Sequence, residues 1–149
     1  MTFGQTIRRA GPLDLTEIKD CAFAAYNIYV SAIGRKPAPM VADFEPLIAE
    51  RLVWLAPRAG FIVMYPRGRA LHIENVAVHP NAQGQGVGKR LMDYAEKHAH
   101  NLGLDRIELY TNAKMEGPLR LYPKLGYTET DRRYEDGFDR VYYKKRLKK

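Results

Sequence analysis

The sequence predicts an α/β (α+β) fold in which a mixed, mostly antiparallel sheet is flanked by about four helices. Segments with helical periodicity and short strand-like runs alternate along the chain. In the first half, several strand-like runs follow one another through short turns, which is typical of antiparallel hairpins. A long amphipathic segment then precedes further strands, so the pattern is mixed and not all-β.

The first half of the chain is predicted to combine two helices with a run of short strands. Asp14 stands where a helix N-cap is expected, and Glu17 three residues later completes a pattern similar to a capping box. Two prolines and a glycine break the chain over residues 34–40, and residues 57–59 are typical of a hairpin turn. The elements predicted here are a strand at 3–9, helices at 13–32 and 43–50, and strands at 52–56, 60–65 and 70–79.

The second half is predicted to contain one long amphipathic helix, a shorter helix and three strands. Gly103 and Gly126 are positioned to end the two helices. Pro118 is compatible with the first turn of the second helix. The predicted elements are helices at 86–102 and 118–125 and strands at 106–110, 127–134 and 138–145.

Length and composition indicate a globular protein with one domain over residues 1–149. Of the 149 residues 46% are hydrophobic, which suits one buried core. Neither a membrane helix nor a secretory signal is expected, because no sufficiently long apolar run is present. The single cysteine, Cys21, lies in an apolar helical stretch and is expected to be buried. The cytoplasm is the expected location.

The charge indicates an anionic partner without identifying it. Lysine and arginine number 24 against 17 acidic residues, a net charge of +7, which suits nucleic acid, an acidic membrane or a phosphate-rich small molecule. The only serine, Ser31, is not part of a G-x-S-x-G motif, which excludes a serine hydrolase of that type. The histidines and the single cysteine show no zinc-ligand pattern, so no metal site is predicted.

The strand at 70–79 changes phase in its middle. Leu71 and Ile73 share one parity, whereas Val76 and Val78 share the other, so a regular strand cannot direct all four to one face. One extra residue near Glu74 would restore the phase, and such a β-bulge often lies beside an active site. The alternative is a strand that is covered on both faces.

The turn between this strand and the long helix is predicted to bind phosphate. Gly84, Gly86 and Gly88 alternate at the junction, and glycine permits positive φ and close approach of the backbone to a ligand. Free N–H groups at a helix N-terminus bind anions, and Lys89 and Arg90 add positive charge. The alternative is a flexible turn without a ligand.

Two common phosphate-binding motifs do not fit this turn. A Walker A loop would require glycine at Gln83 and serine or threonine at Arg90. The dinucleotide fingerprint would require glycine at Lys89, and it opens a first βαβ unit, whereas several strands precede this turn. The motif that fits is Q-x-x-G-x-G over residues 83–88.

With this motif the chain resembles the GNAT superfamily of acyl-CoA-dependent N-acetyltransferases. Ile-Glu-Asn-Val-Ala-Val-His-Pro at 73–80 is similar to the family's fourth strand, and residues 83–102 to its pyrophosphate loop and third helix. Leu-Tyr-Pro-Lys-Leu-Gly-Tyr at 121–127 resembles the family's second motif. The resemblance implies a GNAT-like fold and transfer of an acetyl group from acetyl-CoA to a primary amine in a ternary complex.

The resemblance also implies the cofactor contacts. Backbone N–H groups of the glycine-rich turn would bind the pyrophosphate, and the strand before it would pair with the pantetheine arm like an added strand. An N–H near Val76 would donate to the thioester carbonyl. Pro118 stands in the region of an asparagine that is common in the family, so Asn112 is the expected polar substitute. The predicted cofactor-binding residues are Val76, Ala77, Val78, Gln83, Gly84, Gln85, Gly86, Val87, Gly88, Lys89 and Asn112.

By the same resemblance, Tyr122 takes the position of a general acid that protonates the leaving thiolate. Glu74 is the candidate base, acting directly or through water. The structural alternatives are a packed tyrosine and a solvent-facing strand residue. The acceptor pocket is expected around the first two helices, although packing on the sheet is the simpler explanation of the tyrosines there. The residues predicted for this pocket are Tyr26, Tyr29, Ile33 and Arg35.

Two other functions stay open at this stage. A regulator that binds acyl-CoA without catalysis would show no thioester turnover with any amine. A basic nucleic-acid-binding protein would bind unrelated DNA in a salt-sensitive manner, but no nucleic-acid motif accompanies the charge, and the basic run at 144–149 is typical of a solvated terminus. The expected partner is therefore a small-molecule or peptide amine, not nucleic acid or a membrane. The resemblance is compatible with a homodimer.

Overall fold

The computed structural model describes residues 6–148, and seven strands within them form one open sheet. The strands are β1 Arg8–Arg9, β2 Val53–Ala56, β3 Gly60–Arg67, β4 Ala70–Val78, β5 Arg106–Asn112, β6 Thr128–Glu135 and β7 Phe138–Arg146. Their order across the sheet is β1-β2-β3-β4-β5-β7-β6. Only the β4–β5 pair among these described strands is parallel, which confirms the predicted mixed, mostly antiparallel sheet.

Five α-helices cover the two faces of the sheet within residues 6–148. They are α1 Leu15–Tyr26, α2 Val30–Ile33, α3 Phe44–Ala49, α4 Val87–Asn101 and α5 Glu116–Lys124. In this part of the chain, no helix has both the length and the apolar character that crossing a membrane requires. The predicted helices at 43–50, 86–102 and 118–125 are confirmed to within about two residues.

Two apolar cores lie on opposite sides of the sheet. On one side α1 and α3 pack their buried residues, such as Ile18 and Phe44, against Phe61 of β3. On the other side α4 and α5 pack Leu91 and Tyr122 against the sheet. Cys21 is buried in the first core, as predicted, and burial raises the pKa of its thiol to about 12.

The N-terminal region departs from the predicted elements. The predicted strand at 3–9 is present as Arg8–Arg9, and residues 3–5 lie outside the described range. The single helix predicted at 13–32 is wrong in its second half, because a 3-10 turn at Asn27–Tyr29 separates α1 from α2. Asparagine, isoleucine and tyrosine in succession favour the helix interior only weakly.

Asp14 is the N-cap residue of α1, as predicted, but its side chain makes no cap hydrogen bond, so the predicted capping box is wrong. The Asp14 carboxylate accepts hydrogen bonds from Arg8 and, at 2.8 Å, from the Gly11 N–H. These bonds hold the pKa of Asp14 below its usual value. The Glu17 carboxylate instead accepts a hydrogen bond of 2.6 Å from the Arg58 N–H in the β2–β3 turn. The Asp14 carboxylate is thus bound by residues that precede it closely in the chain, whereas the Glu17 carboxylate is bound by a tertiary partner.

The predicted β-bulge in β4 is confirmed. Met64 of β3 stands opposite Ile73, whereas the preceding Val63 stands opposite Asn75, so Glu74 is the extra residue. The bulge directs four apolar residues of β4 to the core beneath α4 and α5: Leu71, Ile73, Val76 and Val78.

Beyond the bulge, β4 and β5 separate. Their parallel pairing covers only Ala70–Ile73 and Arg106–Leu109. The rest of β4 stays paired with β3, while β5 stays paired with β7 as far as Asn112. A gap therefore opens within the sheet next to Glu74.

The buried His72 side chain of β4 predicts a pH dependence of stability. Burial lowers the pKa of this histidine to about 4, while its ordinary value is 6.5. Between these values the unfolded chain binds more protons than the folded one, so stability falls as the pH decreases through this window. We expect His72 to lower the free energy of unfolding by about 2 kcal/mol between pH 7 and pH 5. Urea unfolding of wild type and His72→Leu at both pH values measures this difference, and an equal pH dependence in the two proteins would contradict it.

Candidate functional site

The gap between β4 and β5 opens into a cavity of about 320 Å³. Its walls are the β4 bulge, the end of β5, the start of α5, the loop between α2 and α3, and the first residues of β7. Five residues predicted from the sequence line this cavity: Tyr26, Glu74, Val76, Asn112 and Tyr122. The strand separation therefore brings together residues that are far apart in the sequence and on opposite faces of the sheet.

Tyr122 lies in α5 at the base of an aromatic cluster and borders the cavity. Its ring packs against Tyr127 and Tyr143, with centroids 5.7 and 5.6 Å away. Burial raises the pKa of the Tyr122 hydroxyl well above its ordinary value, and the nearby Tyr143 adds to this increase. The hydroxyl is therefore protonated at neutral pH, which is the state that a proton donor requires.

Glu74 projects from the bulge on the α1 side of the sheet, where the Tyr65 hydroxyl donates a 3.1 Å hydrogen bond to its Oε1 atom. Burial, followed by the negative charge of Glu74, raises the pKa of Tyr65 to about 12, so this hydroxyl stays a donor at neutral pH. Glu74 is the one acidic side chain among the described residues that line the cavity. It is therefore the candidate proton acceptor there.

The β3–β4 ladder determines which backbone groups of β4 face the gap. The His79 N–H donates to the Ala59 carbonyl across the hairpin. Because successive residues of a strand direct their N–H and C=O groups to opposite sides, Ala77 also faces β3, whereas Val76 and Val78 face the gap. Of the three residues predicted to contact the pantetheine arm through their backbone, Val76 and Val78 therefore direct their N–H and C=O groups to the gap, and Ala77 does not.

Side chains contact both carbonyl groups that face the gap. The Tyr26 hydroxyl lies 2.8 Å from the Val76 oxygen, and Gln83 Nε2 donates to the Val78 oxygen at 3.4 Å. These contacts orient the peptide groups along the open edge of β4. They also link α1 and the glycine-rich turn to the same short stretch of strand.

The glycine-rich turn has the backbone conformation that the sequence predicts for an anion site. Gly84 and Gly86 have φ values of +81° and +77°, in the left-handed region. The N-cap residue of α4 is Gly86, which has no side chain that could accept a hydrogen bond from the first N–H groups of the helix. Uncapped N–H groups and the positive end of a 15-residue helix favour a phosphate here.

The turn lies next to two elements that border the cavity, β4 and α5. A Cβ atom added to Gly88 would lie 3.6 Å from Val78 and 3.8 Å from Leu121 of α5. The start of α4 therefore adjoins the end of β4 and, through α5, the wall that carries Tyr122. Lys89 lies at the surface of the same turn, where its ammonium group pairs with Asp93 at 2.9 Å.

Three of the predicted acceptor residues are not among the side chains that line the cavity. Ile33 and Tyr29 pack against the core under α1. The Arg35 guanidinium stacks on the Phe138 ring, with Cζ 3.8 Å from the ring centroid, and donates a hydrogen bond to the Asp136 carbonyl. Arg35 thereby holds a residue of the wall instead of forming the wall itself.

Sequence reasoning missed Asn75, Phe138 and Arg140, which also line the cavity. Asn75 could have been found as an amide that follows Glu74 inside an otherwise apolar strand. Phe138 and Arg140 gave no local signal, because their position depends on how β7 returns beside β5. The Arg140 guanidinium pairs with Glu135 and Asp136 at 3.3 and 3.1 Å.

Comparison with known proteins identifies an acetyltransferase family and several related acetyltransferases. Residues 25–127 match the family described as acetyltransferase (GNAT) family. A mycothiol acetyltransferase of Paenarthrobacter aurescens (strain TC1) is 43% identical over 56 residues, which are 38% of this chain and 17% of that protein. The chain spans less than half the length of the curated relatives it matches.

Two solved structures share the fold over nearly the whole chain. The ribosomal-protein-S18-alanine N-acetyltransferase of Escherichia coli has a TM-score of 0.74 at 21% identity, covering 97% of this chain and 94% of its own. The PaiA N-acetyltransferase of Thermoplasma acidophilum in complex with coenzyme A also has a TM-score of 0.74, at 18% identity, covering 99% of this chain and all of its own. Because both sequence identities are below 25%, these similarities show a shared fold and not a shared substrate.

Proposed function

Because the chain belongs to the acetyltransferase (GNAT) family, we propose that it moves the acetyl group of acetyl-CoA to a small primary amine by direct attack in a ternary complex. The cavity at the β4–β5 gap carries this proposal, since Glu74, Val76 and Tyr122 all line it. A glycine-rich turn suited to phosphate adjoins the same gap. The complex of the Thermoplasma neighbour with coenzyme A supports this choice of ligand.

The residues around the gap fit the chemical groups of acetyl-CoA. The backbone of the turn at 83–89 would hold the pyrophosphate, with Lys89 nearby as a positive charge. The open edge at Val76 and Val78 would pair with amides of the pantetheine arm, and Asn112 would offer a further polar contact. Acetyl-CoA supplies the acetyl thioester on which the reaction depends.

Each of the three central residues has one proposed task. Glu74 accepts a proton from the amine, directly or through water, so that the nitrogen has a free electron pair for attack on the thioester carbon. The Val76 N–H donates to the carbonyl oxygen as negative charge develops there. When the carbon–sulfur bond breaks, the Tyr122 hydroxyl gives its proton to the leaving thiolate. The attacking nitrogen gives its remaining extra proton, through water, to the Tyr122 oxygen, which restores the phenol and leaves a neutral amide. The proton on Glu74 passes to solvent.

The acceptor is proposed to be a small molecule, because the cavity measures only about 320 Å³. Its lining carries one carboxylate, Glu74, and one guanidinium, Arg140, whose charge is balanced by Glu135 and Asp136. The names of the relatives and neighbours refer to different acceptors, and they therefore do not select one. A lining with a single carboxylate favours a monoamine over a polyamine.

Two measurements test the proposal. Acetyl-CoA at one hundred times its Kd is expected to stabilise the folded protein by about 2.7 kcal/mol, and free-thiol release is expected with at least one member of a panel of monoamines, polyamines, amino acids and peptides. Stabilisation without thiol release would favour a regulator that binds acyl-CoA. No stabilisation, together with tight and salt-sensitive DNA binding, would favour the nucleic-acid function.

The variant Glu74→Gln tests the role of the carboxylate. Glutamine keeps the size of the side chain and can still accept a hydrogen bond from Tyr65, but it cannot take a proton from the amine. We expect kcat/KM for the amine to fall about 100-fold. The exposed Glu129→Gln of β6 is the matched control and should keep wild-type activity. A Glu74→Gln enzyme with wild-type kcat/KM would remove Glu74 from the reaction.

A further inference from the structure

A buried hydrogen-bonded cluster lies between Glu74 and Val76, centred on the side chain of Asn75. This side chain is 5% exposed. Its Nδ2 atom donates a 3.1 Å hydrogen bond to the Pro39 carbonyl, in the loop between α2 and α3. Its Oδ1 atom lies 2.7 Å from the hydroxyl of Tyr26, at the end of α1. One amide thus joins a strand, a helix and a loop.

Packing alone does not explain an asparagine at this position. Its partner across the ladder is Val63, and Ala77 on the same face of β4 belongs to the apolar core under α1. Strands favour β-branched residues, and burying an amide is unfavourable unless its donors and acceptor find partners. An apolar residue would serve the core at lower cost, so the hydrogen bonds are what distinguish Asn75 from a packing residue.

The partners of Asn75 are parts of the proposed acceptor site. Pro39 and Tyr26 both line the cavity. The Tyr26 hydroxyl lies between Asn75 Oδ1 and the Val76 carbonyl, 2.8 Å from the latter. The cluster therefore connects the loop that covers the cavity to the backbone residue proposed to contact the thioester.

The loop has internal hydrogen bonds as well, from Met40 N–H to the Pro37 carbonyl and from Val41 N–H to the Ala38 carbonyl. These bonds stabilise the shape of the loop but do not fix its distance from the sheet. The bond from Asn75 joins the loop to β4 directly beside Glu74. Without this bond, the loop moves relative to the carboxylate and its internal turn opens more often.

We propose that Asn75 is a positioning residue for the acceptor amine, a role that rests on the proposed acetyltransferase function. It acts through Pro39 and Tyr26. By holding the α2–α3 loop against β4, it sets the width of the acceptor end of the cavity above Glu74. Acetyl-CoA is bound mainly by the glycine-rich turn and is affected much less.

The test compares Asn75→Ala and Tyr26→Phe with a control, Val63→Ala, which removes apolar volume opposite Asn75 without changing a hydrogen bond. Thiol release is measured with acetyl-CoA and phenethylamine as a monoamine probe. We expect the KM for phenethylamine to rise about tenfold in Asn75→Ala, as for the loss of one buried hydrogen bond, and about threefold in Tyr26→Phe. The KM for acetyl-CoA should change less than about twofold in both, and Val63→Ala should keep the amine KM of wild type.

Equal increases of both KM values, or the same pattern in Val63→Ala, would overturn the positioning role and leave a purely structural one. Hydrogen exchange of the Met40 and Val41 amides gives a readout that does not depend on turnover. Faster exchange is expected in Asn75→Ala but not in Val63→Ala, and unchanged exchange would overturn the proposal. If wild type released thiol with no amine, the proposed function would fail, and the exchange result would still decide whether Asn75 holds the loop.

Discussion

Replacement of Tyr122 with phenylalanine is expected to lower kcat by about 100-fold or more, whereas the Kd of acetyl-CoA changes less than about threefold. The ring keeps its contacts with Tyr127 and Tyr143, so the cavity wall is retained. Only the proton donor to the leaving thiolate is lost. Steady-state kinetics with the best acceptor of the amine panel, together with calorimetric titration of acetyl-CoA, measures both quantities.

The matched control for this variant is Tyr143→Phe. Tyr143 belongs to the same aromatic cluster and is also 5% exposed, but it does not line the cavity. Loss of its hydroxyl should leave kcat near the wild-type value. If Tyr122→Phe kept wild-type kcat, or if the two variants lost activity equally, Tyr122 would not be the acid.

The second large effect is expected for Gly84→Ala in the glycine-rich turn. Gly84 has a φ of +81°, which alanine adopts at a cost of about 1–2 kcal/mol. Relief of this strain would rotate the neighbouring N–H groups away from the phosphate position. Loss of one or two charge-assisted hydrogen bonds, each about 1.5–3 kcal/mol, would weaken acetyl-CoA binding about 10- to 100-fold or more.

Gly103→Ala separates this effect from a general loss of stability. Gly103 also has a positive φ, +73°, and a Cβ atom at either glycine would meet nothing within 4 Å. It follows α4 at the opposite end of the helix from the turn. Both variants should show similar decreases of Tm, but only Gly84→Ala should bind acetyl-CoA more weakly. Equal affinity in the two variants would indicate that the turn does not bind the phosphates.

Local patterns in the sequence predicted much of the sheet. The parity change between Ile73 and Val76 was sufficient to predict the bulge, because side-chain direction in a strand alternates with a period of two. The glycine spacing at 84–88 predicted a turn with positive φ values at the start of α4, and Gly84 and Gly86 adopt them. Both features depend on neighbouring residues in the chain, and this dependence explains why they could be predicted.

Features that depend on distant partners were not predicted. Glu17 was expected to complete a capping box at the start of α1, but its carboxylate accepts a hydrogen bond from the Arg58 N–H, about forty residues later in the chain. Arg35 was expected in the acceptor pocket, but it stacks on Phe138, about one hundred residues later in the chain. The contact of Arg35 arises only when β7 returns to the sheet. The catalytic roles of Glu74 and Tyr122 stay predictions until the variants are measured.

The central claim is that an amine receives the acetyl group of acetyl-CoA in the cavity between β4 and β5. Mass spectrometry of the amine after incubation with acetyl-CoA labelled in its acetyl group, with free thiol quantified in the same samples, tests it most directly. The predicted result is one labelled acetyl group on the amine for each thiol released, with both products formed about 100-fold more slowly in Tyr122→Phe. Thiol release without an acetylated amine, or neither product with any amine of the panel, would contradict the claim.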